Sequence, residues 1–158
     1  MAESLILPST NDRFLRYEAL YPQIQALLAG ESDAIANMAN VAAALKESFH
    51  FFWVGFYLVK ENQLVLGPFQ GPIACTRIAF QRGVCGHCYT TRASVLVPNV
   101  DEFPGHIACS SLAKSEVVIP VWNAQGEITA VLDVDSDRLA DFSVIDVEQL
   151  EKIVKLLT

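Results

Sequence analysis

Between Asn11 and Leu28 apolar side chains return at helical spacing, at Phe14, Tyr17, Leu20, Tyr21, Ile24, Leu27 and Leu28, and Gly30 supplies a stop. A first helix is predicted there. A second stripe, Ile35, Met38, Val41, Ala42, Leu45 and Phe49, follows Ser32 as the predicted N-cap and reads as core. The period then changes. The run "FWVGFYLVKENQLVLGPF" alternates as two strands around Glu61 and Asn62, with a third strand near Cys75 to Phe80. Beyond a cysteine-rich turn, "SVLVPNV" is a short strand and "DEFPGHIACSSLAKS" a long loop or short helix. "EVVIPVW", the turn "NAQG" and "EITAVLDVDS" make a hairpin, and Val147, Leu150, Ile153, Val154 and Leu157 close the chain as a helix. Mostly antiparallel strands on short turns, helices at both ends and no interdomain linker predict an α+β layer fold, a single domain over residues 1–158.

Composition narrows the partners. A net charge of −7 without any Lys/Arg cluster gives no footprint for nucleic acid or anionic lipid. No apolar run approaches a membrane span, and "MAESLILPSTNDR" has no basic region before its short apolar stretch, so a cytoplasmic protein is expected. In a reducing compartment, Cys75, Cys85, Cys88 and Cys109 are buried residues, ligands or reactive thiols rather than structural disulfides.

Three readings of the cysteines compete. Cys85-Gly-His-Cys88 has the spacing of a thioredoxin-like dithiol, and Ile119-Pro120 offers a proline of the kind that packs against one. That chemistry needs a buried strand feeding a helix, whereas here the motif follows two helices and a hairpin, and "FQRG" reads as a turn. Zinc is the second reading, with Cys85, Cys88, His106 and Cys109 as four N/S ligands. The intervening "SVLVPNV" counts against it, because an apolar strand wants a sheet, while small zinc modules fold around the metal for lack of a core. The third reading takes Cys75, Cys85 and Cys109 as a redox set.

Acids give that third reading a partner. Alternation along "ITAVLDVDS" places Val131, Asp133 and Asp135 on one face and Ile128, Ala130, Leu132 and Val134 on the other. With "NAQG" as a four-residue loop, Trp122 opposes Glu127 and Glu116 comes to lie across from Asp133. The three carboxylates either converge on a site or form a solvated strand end, and Trp53 and Tyr57 are by default core aromatics.

"WVGFYL", "GPFQGPIAC", "QRGVCG", "FPGHIAC", "SEVVIP" and "VLDVDS" occur in an order and spacing similar to the free methionine-(R)-sulfoxide reductases of the GAF-domain family. The resemblance spans residues 14–157. It implies a central antiparallel sheet with N- and C-terminal helices packed on it, free methionine sulfoxide as substrate, and neither cofactor nor metal. It also implies Trp53 and Tyr57 as walls around the substrate methyl group, with Glu116, Asp133 and Asp135 binding and activating the sulfoxide. Cys109 is then the nucleophile that becomes a sulfenic acid, Cys75 the resolving thiol with Cys85 as the alternative, and a thioredoxin-like protein the reductant. Cys88 departs from the pattern, which leaves the resolving step open. A homodimer is left open, as is a GAF domain that only binds a small ligand, since fold does not fix function.

Overall fold

Asp12 and Asp33 start the first two helices, α1 over Arg13–Leu28 and α2 over Ala34–Phe49, each accepting a bond from a backbone N–H three residues on. The cap of α2 is therefore Asp33 and not Ser32; its carboxylate also meets the positive end of the helix dipole. The computed structural model describes residues 4–107 and 110–158. The buried stripe of α1 is Tyr17, Leu20, Ile24 and Leu28, narrower than the sequence pattern. Phe14 and Leu27 flank it and stay exposed, as does Ile35 in the first turn of α2.

The strands are β1 (Trp53–Lys60), β2 (Gln63–Gln70), β3 (Arg77–Ala79), β4 (Val95–Val97), β5 (Ser115–Trp122) and β6 (Ile128–Ser136), in the antiparallel order β3-β2-β1-β6-β5-β4. Glu61 and Asn62 connect β1 and β2 where the sequence places the break between two strands, and their φ values of 52° and 61° make the connection a tight primed turn. One sheet face carries Val54, Phe56, Leu58, Val117, Ile119, Val121, Ala130, Leu132 and Val134 against α2 and the C-terminal helix α4 (Val144–Val154), with α1 packed on those two helices in the same core. The other carries Trp53, Tyr57, Val118 and Val131 toward a further helix.

That helix, α3 (Gly83–Thr91), stands where a cysteine-rich turn or loop is expected. "GVCGHCYTT" holds two glycines and two β-branched threonines, so propensity argues against a helix. Burial of Val84, Cys85 and Cys88 at three- and four-residue spacing, against β3, β5 and β6, overrides it. Gly86 sets how closely α3 approaches the preceding turn, since a Cβ there would lie 2.7 and 2.8 Å from the carbonyl oxygens of Phe80 and Ala79. Gly86→Ala is accordingly expected to lower stability by about 1 to 3 kcal/mol, read from the midpoint of denaturant unfolding.

The β5–β6 register also differs from the sequence expectation. Asn123 accepts from Gly126 and donates its backbone N–H to Glu127, so the loop has three residues, with Gly126 at φ 77°. Trp122 then faces Ile128, not Glu127. A bulge at Thr129 adds a second single-residue shift, bringing Glu116 opposite Asp135 and Val118 opposite Asp133. Two shifts of one residue restore face parity, so all three acids still share a face. The bulge also turns Ile128 away from Ala130 and onto the α3 face, contrary to simple alternation.

Candidate active site

On the α3 face, β5 contributes Glu116, β6 contributes Asp133 and Asp135, and α3 contributes Cys85. One ligand atom each from Cys85, Glu116 and Asp133 lies within 4.8 Å of the others. Glu116 and Asp133 are 5% and 7% exposed, and Asp135 is partly buried. They are not a solvated strand end. Burial, reinforced by Asp133 and Asp135, pushes the Glu116 carboxyl well above its ordinary range, and burial with Asp133 does the same to Asp135. Burial raises Asp133 to about 6, drawn partway back by its contacts with Cys85 and Glu116. The cluster therefore holds protons near neutrality. Asp133 Oδ1 has no hydrogen-bond partner among the described residues.

Trp53 and Tyr57, 4% and 1% exposed, stack at 6.0 Å on β1 with Phe69 beyond the indole. Their polar ends are tied to the β2–β3 loop: the indole N–H donates to the Pro72 carbonyl at 3.0 Å, and the phenol to the Cys75 carbonyl at 3.1 Å. Both rings thus present rigid apolar surface to a pocket of about 280 Å³ that also touches Phe52, Ala74, Ser110, Asp133 and Asp135. A second lobe of about 390 Å³, within the usual range for small-molecule sites, is lined by Cys85, His106, Ile107, Glu116, Asp133 and Asp135. Ser110, Asp133 and Asp135 border both lobes, so the acids sit where an aromatic half meets a polar half.

The cysteines divide. Cys75 is half-buried and disulfide-bonded, whereas Cys85 and Cys88 are free thiols. The expected nucleophile Cys109 lies outside the described residues; Ile107 and Ser110, on either side of positions 108 and 109, line the pocket. Cys85 sits in the first turn of α3, where a helix N-terminus ordinarily favours a thiolate. Burial and the carboxylates of Asp133, Glu116 and Asp135 outweigh that and drive its pKa well up. Cys88 is fully buried at 3.8 Å from the Val118 carbonyl and pushed up to about 12 by burial, Asp133 and Glu116. Two buried, protonated thiols are the reverse of a reactive dithiol. Nor do the described members of the alternative zinc set gather: the donors that converge are Cys85, Glu116 and Asp133, without Cys88 or His106.

Two residues line the pocket without a role assigned from the sequence, where His106 figured only as an alternative zinc ligand. His106 Nε2 lies 3.9 Å from Glu116, and burial lowers its pKa, which makes it a neutral neighbour more than an ion-pair partner. Ser110 borders both lobes. His106 opens "HIAC" and Ser110 follows it, so proximity to that motif is the signal the chain carried for a place at the pocket.

The antiparallel sheet of this layered α+β domain floors a pocket in which acidic and aromatic walls meet. The GAF domain pattern matches residues 30–158. The chain is 60% identical to GAF domain-containing protein A of Dictyostelium discoideum, with 99% of each chain covered. It is 41% identical to the free methionine-R-sulfoxide reductase of Escherichia coli over 89% of this chain and 86% of that one. It superposes on the X-ray structure of the Neisseria meningitidis free methionine-R-sulfoxide reductase in complex with its substrate at TM-score 0.92 and 48% identity, covering 98% and 93% of the two chains. The chain belongs to the GAF-domain family of free methionine-R-sulfoxide reductases, which are oxidoreductases.

Proposed function

We propose that this protein reduces free methionine-R-sulfoxide to methionine with a cysteine nucleophile. The observation that carries the reading is the meeting of Glu116, Asp133 and Asp135 with a Trp53/Tyr57 wall at one pocket, the Tyr57 phenol being tied to the carbonyl of the disulfide-bonded Cys75. A thiol attacking a sulfoxide sulfur needs the oxygen protonated as negative charge develops on it. Glu116, Asp133 or Asp135 supplies that proton, and the aromatic lobe takes the methyl group.

In this reading the Cys109 thiolate attacks sulfur, the S–O oxygen passes to Cys109 as sulfenic acid, and methionine leaves, reduced by two electrons. The Cys75 thiol then attacks the sulfenic sulfur, water departs, and a disulfide forms. An external dithiol of thioredoxin type exchanges with that disulfide and returns both thiols. Cys75 suits resolution better than Cys85, whose thiol is buried among carboxylates that oppose its ionisation. Prereduced protein mixed anaerobically with free methionine-R-sulfoxide is expected to form one equivalent of methionine and lose two titratable thiols. Bound but unchanged sulfoxide with an undiminished thiol count would instead identify a ligand-binding GAF domain.

A pocket that closes around both ends of its substrate selects the free amino acid. A peptide continuing from either end of the residue would leave buried carboxylates and pocket backbone groups unpaired, at about 1 to 3 kcal/mol for each, before any clash. A methionine-sulfoxide peptide should therefore turn over at least tenfold more slowly in kcat/KM than the free amino acid. Equal values would exclude a closed pocket.

A further inference from the structure

We propose that Cys85, Glu116 and Asp133 form a binding site for a thiophilic divalent cation, Zn2+ foremost, and that the cation and methionine sulfoxide exclude one another. One sulfur and two carboxylate donors, brought from α3, β5 and β6, already lie within 4.8 Å of each other. Tetrahedral zinc with ordinary bond lengths needs donor separations of roughly 3.3 to 3.6 Å, which small side-chain rotations supply. Asp133 is 7% exposed, and its Oδ1 has no hydrogen-bond partner among the described residues, which leaves a buried acceptor available on one member of the cluster. Three protein donors leave a fourth position toward the polar lobe for water.

The surroundings favour a cation. From β6 the next facing group is Asp135, from β1 the Tyr57 phenol, from α3 the Cys88 thiol, and from the loop before residue 108 the neutral His106. Among the described residues lining this lobe, Arg82 is the sole Lys or Arg, and it is exposed. A thiolate donor selects Zn2+ over Mg2+ or Ca2+, which prefer all-oxygen shells. Binding displaces the thiol proton and any proton held by the two carboxylates, without change of oxidation state. Because the same acids activate the sulfoxide in the proposed reaction, an occupied site is a switched-off one. The inhibition rests on the reductase reading; the binding does not.

Co2+ serves as the spectroscopic probe, added to protein in which Cys75 is kept in its disulfide so that its sulfur is not available. A single equivalent is expected to bind with a sulfur-to-cobalt charge-transfer band that Zn2+ abolishes. Cys85→Ser should lose the band, Asp133→Asn and Glu116→Gln should weaken binding by about tenfold or more, and Cys88→Ser should keep it. Methionine-R-sulfoxide should displace the metal, and Zn2+ should inhibit turnover competitively. The absence of a band at saturating Co2+, or a band that survives Cys85→Ser or is untouched by Asp133→Asn, overturns the site. Ternary binding of Co2+ and sulfoxide overturns the exclusion. A Cys85-dependent band in a protein with no reductase activity upholds the site while removing the proposed function.

Discussion

Cys109→Ser is expected to abolish methionine formation in the first turnover of prereduced protein, whereas Cys75→Ser still releases one equivalent of methionine and then stalls. The asymmetry follows from the order of events: a nucleophile is required before product exists, a resolving thiol only afterwards. Rapid quench with methionine quantitation separates the two phases, and a dimedone adduct on Cys109 should accumulate in Cys75→Ser as the unresolved sulfenic acid. Cys85→Ser is expected to leave the first turnover intact, since its thiol is held protonated by burial and by Asp133, Glu116 and Asp135. Methionine release by Cys109→Ser at the wild-type rate would move the nucleophile elsewhere in the cysteine set.

The acids carry the second large effect, and it has two signs. Glu116→Gln, Asp133→Asn and Asp135→Asn should each slow the methionine-forming step by about 10²- to 10⁴-fold, the usual worth of general acid assistance. The same amides should make the fold more stable at pH 8. Asp133 titrates near 6 in the folded protein against an ordinary 3.8, so the folded state binds more protons than the unfolded chain in that window. Its favourable contribution is complete below the unfolded pKa and is lost as pH rises through about 6. A shift of that size corresponds to about 3 kcal/mol at most, so Asp133→Asn should raise the unfolding midpoint by several degrees at pH 8, with the gap closing toward pH 4. Loss of rate with gain of stability is what strained functional groups produce. Amide variants with wild-type rates and unchanged melting curves would return the carboxylates to the status of passive strand residues.

Much of this architecture was legible along the chain, because hydrophobic period reports which side of an element faces a core. The stripes of α1, α2 and α4, the β1–β2 turn at Glu61 and Asn62, and the common face of Asp133 and Asp135 all follow from local spacing. The motif segments from "WVGFYL" to "VLDVDS" carried the family. Period alone does not say where strands meet. The pairing of Glu116 with Asp135 depended on a three-residue loop and a bulge at Thr129, which trade a few backbone bonds for packing of distant elements. Helix α3 depended on the same kind of trade, since only contact with β3, β5 and β6 offsets the poor propensity of "GVCGHCYTT". That helix took the two thiols of "CGHC" off the expected loop, buried both and set Cys85 among the acids. Sequence determined which residue types face the pocket; only tertiary packing decided which of them touch, because the free energy of each contact is shared among elements far apart in the chain.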